Sequence, residues 1–125
     1  MKEGQLSKRE RQIMDVVYSL GNATATRILE SLEDPPSRSS VRTFLTILEK
    51  RGHLRHKKVG KAYVYEPTRP RRAVGKSALQ RVIDVFFGGS LEKAVTAHLL
   101  DPKTELSKEE LRRLSKIVSE AKKKG

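Results

Sequence analysis

The chain has 125 residues, of which 36% are hydrophobic and 34% charged, and its net charge is +12. That length fits one small domain with an appendage, and so large a cationic surplus favours an anionic partner, nucleic acid before an acidic membrane surface. The absence of cysteine excludes disulfides, thiol nucleophiles and Cys-based zinc sites, and no run approaches the ~18 apolar residues of a membrane span, so the expectation is a cytoplasmic protein without membrane insertion.

Ser7 and Glu10 match a capping box that opens a first helix, in which each side chain bonds the other residue's backbone N–H. Ile13, Met14, Val17 and Leu20 then mark a stripe to be buried, and Gly21 suits the left-handed position that ends a helix. Thr24 caps a short second helix with Ile28, Leu29 and Leu32 facing inward. Asp34-Pro35-Pro36 breaks the chain, and Ser37 caps a third helix that runs to about Arg51 and stops at Gly52.

The third helix contains the unusual stretch SSVRTFLTILEKRG, residues 39–52. Val41, Phe44, Leu45 and Leu48 share one face. The opposite face carries Ser39, Thr43, Thr46 and Lys50, with Arg42 beside them. Short hydroxyls are poor helix formers, so propensity does not explain their placement, whereas contact with a partner does.

A β-hairpin follows. Leu54 begins a strand, Val59-Gly60-Lys61 makes a tight turn, and Ala62 to Glu66 returns with Tyr63, Val64 and Tyr65 as strong strand formers. Pro67 and Pro70 stop the sheet. Three helices and then a hairpin is the order of a winged helix-turn-helix, with the third helix in the DNA major groove and the hairpin as the wing.

The remaining segment, from about residue 70 to 122, reads as helical throughout. One stretch carries Val74, Ala78, Leu79, Val82, Ile83 and Phe86, and ends at Gly88-Gly89. Ser90 caps the next, with Leu91, Ala94, Val95 and Leu99. After Asp101-Pro102, Ser107 and Glu110 match a second capping box before Leu111, Leu114, Ile117 and Val118. These residues are too few to enclose a core alone. Their apolar stripes must meet the first domain or a second copy, and the second copy is preferred. The expected fold is mainly α with a small β-hairpin: a winged helix over residues 1–69 and a helical dimerisation domain over 70–125.

Charge is concentrated rather than spread. Residues 50–72 hold nine Lys and Arg against Glu66 alone, a surplus of +8 within the total of +12. Phosphates neutralised there release counterions and supply affinity without sequence preference. The positions assigned to the phosphate backbone are Ser37, Arg38, Lys50, Arg55, Lys57, Lys58 and Lys61. Base reading falls to Ser39, Ser40, Arg42, Thr43 and Thr46 in the first turns of the third helix. Arginine can grip guanine O6 and N7 with two bonds, and a threonine methyl can pack on a thymine methyl.

The segments LSKRERQIMDVVYSLGNATATRILESL, SSVRTFLTILEKRGHLRHKKVGKAYVYEP and FFGGSLEKAVTAHLL, in this order, resemble the penicillinase-repressor (BlaI/MecI-type) family from Leu6 to about Val118. The most specific pieces are the Thr43–Gly52 pattern, the wing from Gly60 to Tyr65 and the Phe87-Gly88-Gly89-Ser90 junction. The resemblance implies a homodimeric repressor on palindromic double-stranded operators. Its DNA-reading positions map onto Ser39, Ser40, Arg42, Thr43 and Thr46, with wing contacts near Lys58 and Lys61. The dimer interface then draws on Leu79, Val82, Ile83, Phe86, Leu91, Val95, Leu99, Leu111, Leu114, Ile117 and Val118. Family members are often inactivated when a membrane metallopeptidase sensor triggers a cut at an Asn-Phe pair in the dimerisation helices. The equivalent pair here is Ala97-His98, a departure from that pattern. A cysteine cluster like that of the copper-responsive relatives is absent from this sequence.

Other chemistries fit poorly. Gly75-Lys76-Ser77 matches the tail of a phosphate-binding loop, but position 70 is proline where that motif needs glycine. His53 and His56 have H-x-x-H spacing without a nearby carboxylate pair, which favours phosphate-facing imidazoles over a metal site. His98 sits among apolar residues as a partly buried packing histidine. No local motif assembles a catalytic triad. The reading is therefore not an enzyme, with no cofactor and no metal. The alternative is a winged-helix protein that binds nucleic acid without sequence choice, as an architectural or RNA-binding factor.

Overall fold

The computed structural model describes residues 5–125. Its elements, in chain order, are α1 (Lys8–Leu20), β1 (Ala23–Thr24), α2 (Ala25–Ser31), α3 (Arg38–Lys50), β2 (Leu54–Val59), β3 (Ala62–Pro67), α4 (Arg71–Phe86), α5 (Leu91–Leu99) and α6 (Lys108–Lys124). Contacts divide the chain into a unit ending at Ala78 and a unit from Leu79 to Gly125.

In the first unit, local chemistry sets each helix end. Ser7 Oγ accepts from the Glu10 N–H at 3.1 Å while the Ser7 N–H donates to the Glu10 carboxylate at 2.8 Å, so α1 begins with the full reciprocal box. Thr24 and Ser37 cap α2 and α3 in the same way through one hydroxyl each. Gly52 has φ 82°, the left-handed backbone that lets the chain leave α3 and enter β2.

The core joins Ile13, Met14 and Val17 of α1, Ile28 of α2, Val41, Leu45 and Leu48 of α3, and Leu54 at the start of β2. Ile13, Val17, Ile28, Leu45 and Leu48 are fully out of solvent, each contributing about 1.5–3 kcal/mol by burial. Phe44 and Leu29 lie half-buried against this cluster. Leu20 departs from the expected stripe and is 38% exposed. It is the last residue of α1, at the helix end next to Gly21.

The sheet has three antiparallel strands in the order β1-β3-β2. Two-residue β1 pairs Ala23 with Tyr65 and Thr24 with Val64, a strand too short for any alternation to announce it in sequence. β2 and β3 pair from Leu54 with Pro67 to Val59 with Ala62. Gly60, with φ 63°, occupies the first position of the two-residue turn, as a type II′ hairpin requires. Three helices, a small sheet and an exposed hairpin make this unit a winged helix.

The second unit contains α5, α6 and the C-terminal part of α4. Ser90 Oγ accepts from the Lys93 N–H and Ser107 Oγ from the Glu110 N–H, both at 3.1 Å. The second capping box is only half formed, because the return bond from the Ser107 N–H to the Glu110 carboxylate is not among the bonds of the described residues. Among the described hydrophobic residues of this unit, Ile83 alone is buried. Leu79, Val82, Phe86, Leu91, Val95, Leu99, Leu111, Leu114, Ile117 and Val118 are exposed on the single chain. His98 is exposed as well, so it does not serve as the packing histidine that its neighbours suggested. Gly75-Lys76-Ser77 lies inside α4, where a continuous helix offers no phosphate-cradling loop.

Candidate nucleic-acid interface

The buried face of α3 fixes what its other face can do. With Val41, Leu45 and Leu48 in the core, the helical period turns Ser39, Arg42, Thr43, Thr46 and Lys50 to solvent. Ser40 is half-buried beside the cap. At the start of the ridge, Ser37 Oγ donates to Ser40 Oγ at 2.9 Å and lies 3.2 Å from Ser39 Oγ, so the three hydroxyls form one cluster. Arg38 Nη1 donates to Thr26 Oγ1 at 3.3 Å, which ties the first turn of α3 to α2.

Further along, Thr43 Oγ1 donates to the Ser39 carbonyl at 3.1 Å and Thr46 Oγ1 to the Arg42 carbonyl at 3.0 Å. Back-bonding of this kind commits each hydroxyl proton to the helix. What remains outward is an oxygen that accepts and a methyl group that packs. The Arg42 guanidinium makes no hydrogen bond or ion pair among the described residues, so its five donors remain available for planar, two-bond recognition.

Six of the nine cations of residues 50–72 fall into two groups. Arg51 is turned away from the ridge. Its Nη1 lies 3.2 Å from Glu10 Oε1 and its Nη2 donates to the Gln5 carbonyl at 2.5 Å. Arg55 pairs with Glu66 across the hairpin at 3.5 Å. By contrast, Lys50, Lys57, Lys58 and Lys61 are exposed and have no acidic partner among the described residues. Lys57, Lys58 and Lys61 surround the wing turn.

Strand alternation sorts the hairpin into two faces. Leu54, His56, Lys58, Tyr63 and Tyr65 share one, and Arg55, Lys57, Val64 and Glu66 the other. Because Leu54 enters the core, the first face is the one turned toward α3. On it, His56 packs 4.6 Å from the Tyr63 ring and 5.5 Å from the Tyr65 ring, centroid to centroid. Its Nδ1 lies 2.7 Å from Glu49 Oε1 on the last turn of α3. Burial pushes the Tyr65 phenol above its ordinary range, the Glu49 carboxylate pushes in the same direction, and the Arg42 guanidinium opposes them. Tyr65 thus lies within the electrostatic reach of the ridge.

Neither histidine is the phosphate-facing imidazole that its spacing suggested. His56 is occupied by Glu49 and two tyrosines, and the His53 Nε2 is buried without a hydrogen-bond partner among the described residues. Among those residues, no group of three or more His, Cys, Asp and Glu side chains gathers to hold a metal ion. Among the described residues, no helix is long and apolar enough to cross a membrane.

The family model for penicillinase repressors matches residues 6–120. The penicillinase repressor of Bacillus licheniformis is 27% identical over 120 residues, which span 94% of this chain and 92% of that relative. An uncharacterized 16.5 kDa protein of Latilactobacillus sakei is 25% identical over 119 residues, 92% of this chain and 79% of that one. A solution structure of the B. licheniformis BlaI monomeric form in complex with the blaP half-operator aligns with a TM-score of 0.49 at 28% identity, over 55% of this chain and 87% of that one.

Proposed function

Because this chain belongs to the penicillinase repressor family, whose members are DNA-binding transcriptional regulators and not enzymes, we propose that it represses transcription as a homodimer bound to palindromic operators. One observation carries the reading: an exposed ridge of hydroxyls and one free arginine on α3 stands beside a wing whose lysines lack acidic partners. The first supplies discrimination and the second supplies affinity.

In this proposal each α3 enters a major groove, and two copies reach successive grooves on one side of the duplex. Arg42 grips guanine. Thr43 and Thr46 offer methyls to thymine or accept from a base amino group, since their own protons are committed to the helix. Lys50, Lys57, Lys58 and Lys61 neutralise phosphates. Bound over a promoter, the dimer excludes RNA polymerase, which places the protein in the cytoplasm with the chromosome.

Support for a second copy comes from the apolar side chains of α4, α5 and α6. Phe86 is 74% and Leu114 40% exposed on the single chain, and large apolar side chains left in water over three helices favour a partner surface. Linking two half-sites through that surface multiplies their affinities. Ala97 and His98 are both exposed on α5. A membrane metallopeptidase sensor that triggered a cut there would divide α5 and release the operator.

The test is selection of genomic fragments by the purified protein, followed by footprinting. The expected result is a protected symmetric element whose half-sites lie about one helical turn apart. Recovery of fragments without a common symmetric element would overturn the proposal.

A further inference from the structure

Among the hydrogen bonds and ion pairs of the described residues, one joins the wing strands β2 and β3 to the recognition helix α3: His56 Nδ1 to Glu49 Oε1, at 2.7 Å. A carboxylate only accepts, so Nδ1 carries the proton in this contact. The imidazole cannot swing freely, because Tyr65 lies directly across the ladder from it and Tyr63 diagonally across. Three rings and one carboxylate therefore form a strut on the α3 side of the wing.

The strut is not needed to hold the fold together. Leu54 already anchors β2 in the core, and the ladder already holds the hairpin. Glu49 and His56 are 28% and 36% exposed in their side chains, and a pair that accessible adds little stability. What the strut does restrict is the tilt of the hairpin against α3. Beyond His56, the residues from Lys57 to Tyr63 are exposed, so tilt at this point moves Lys57, Lys58 and Lys61 together. An error of about an ångström there takes an ammonium out of contact with its phosphate.

We propose that Glu49 and His56 are positioning residues, which fix the wing at the angle where its lysines and the Ser39–Thr46 ridge engage one duplex at once. The inference rests on the DNA-reading role proposed above for that ridge. Neither side chain needs to touch DNA.

The test uses the full chain and two duplexes: the sequence most enriched from a random pool by the wild-type protein, and a shuffled duplex of the same composition. Glu49→Ala and Glu49→Gln both remove one negative charge near the DNA, but the amide oxygen of glutamine still accepts from Nδ1. Glu49→Ala is expected to lose about tenfold affinity for the enriched duplex and to lower its salt dependence by about one to two phosphates. Glu49→Gln is expected to stay within about threefold of wild type. His56→Phe keeps a ring between the tyrosines and removes the donor, so it should match Glu49→Ala. The double variant should be no worse than either single one. Thermal unfolding of the wild type and all four variants should agree within a few degrees, which separates positioning from folding. Equal behaviour of Glu49→Ala and Glu49→Gln on the enriched duplex would overturn the proposal. Failure of the wild type to enrich any sequence would instead overturn the sequence-specific reading.

Discussion

Arg51 Nη1 lies 3.2 Å from Glu10 Oε1, which joins the end of α3 to the start of α1 across 41 positions of sequence. Glu10 also caps its own helix through the Ser7 N–H. One buried carboxylate therefore holds two helix ends, and a cation within the basic run serves the fold rather than DNA. Removing either partner leaves the other poorly paired. Glu10→Ala or Arg51→Ala should lower the unfolding free energy by about 1–3 kcal/mol, read from the urea midpoint at unchanged slope. A midpoint equal to that of wild type would show that water replaces the bond at no cost.

Arg42→Ala should relax base preference at one position in each half-site, at a cost of about 1–3 kcal/mol for the preferred base. A systematic set of single-base operator variants measures this. Equal weakening on every variant would make Arg42 a phosphate contact.

Lys50, Lys57, Lys58 and Lys61, without acidic partners among the described residues, would neutralise about eight phosphates in the proposed dimer. Affinity should then fall by roughly four decades between 50 and 200 mM salt. Replacing Lys58 by Gln should reduce the slope of log affinity against log salt by about 2 for the dimer, with the ratio of operator to random binding kept. A flat salt profile would mean that the wing does not meet phosphates.

Leu114→Glu places a charge in the apolar face of α6, whose exposed side chains are unpartnered on the single chain. The variant should sediment as a monomer while the winged helix keeps its unfolding transition, and operator affinity should collapse with the loss of linked half-sites. A wild-type protein that is itself monomeric at micromolar concentration would remove the basis for this prediction.

The helix boundaries of the first unit were legible because local chemistry writes them: Ser7 with Glu10, Thr24, Ser37 and the left-handed Gly52 each act within a few residues. The exposed ridge of α3 was legible for the same reason, since 3.6-residue periodicity places it opposite Val41, Leu45 and Leu48. What sequence did not show depends on distant partners. β1 is only Ala23–Thr24 and exists through its pairing with β3. Arg51 counts as one more positive charge until Glu10 is found beside it. The His53-x-x-His56 spacing suggested two equivalent imidazoles. The turn after Gly52 buries one, and strand alternation hands the other to Glu49 and two tyrosines.

The most direct measurement of the central claim is competition, at physiological salt, between the symmetric element recovered from the chromosome and random duplex of equal length. A repressor that reads bases with α3 should prefer the symmetric element by at least ~10³-fold. Comparable affinity for the two would identify a protein that binds nucleic acid through phosphates alone, and would contradict the account.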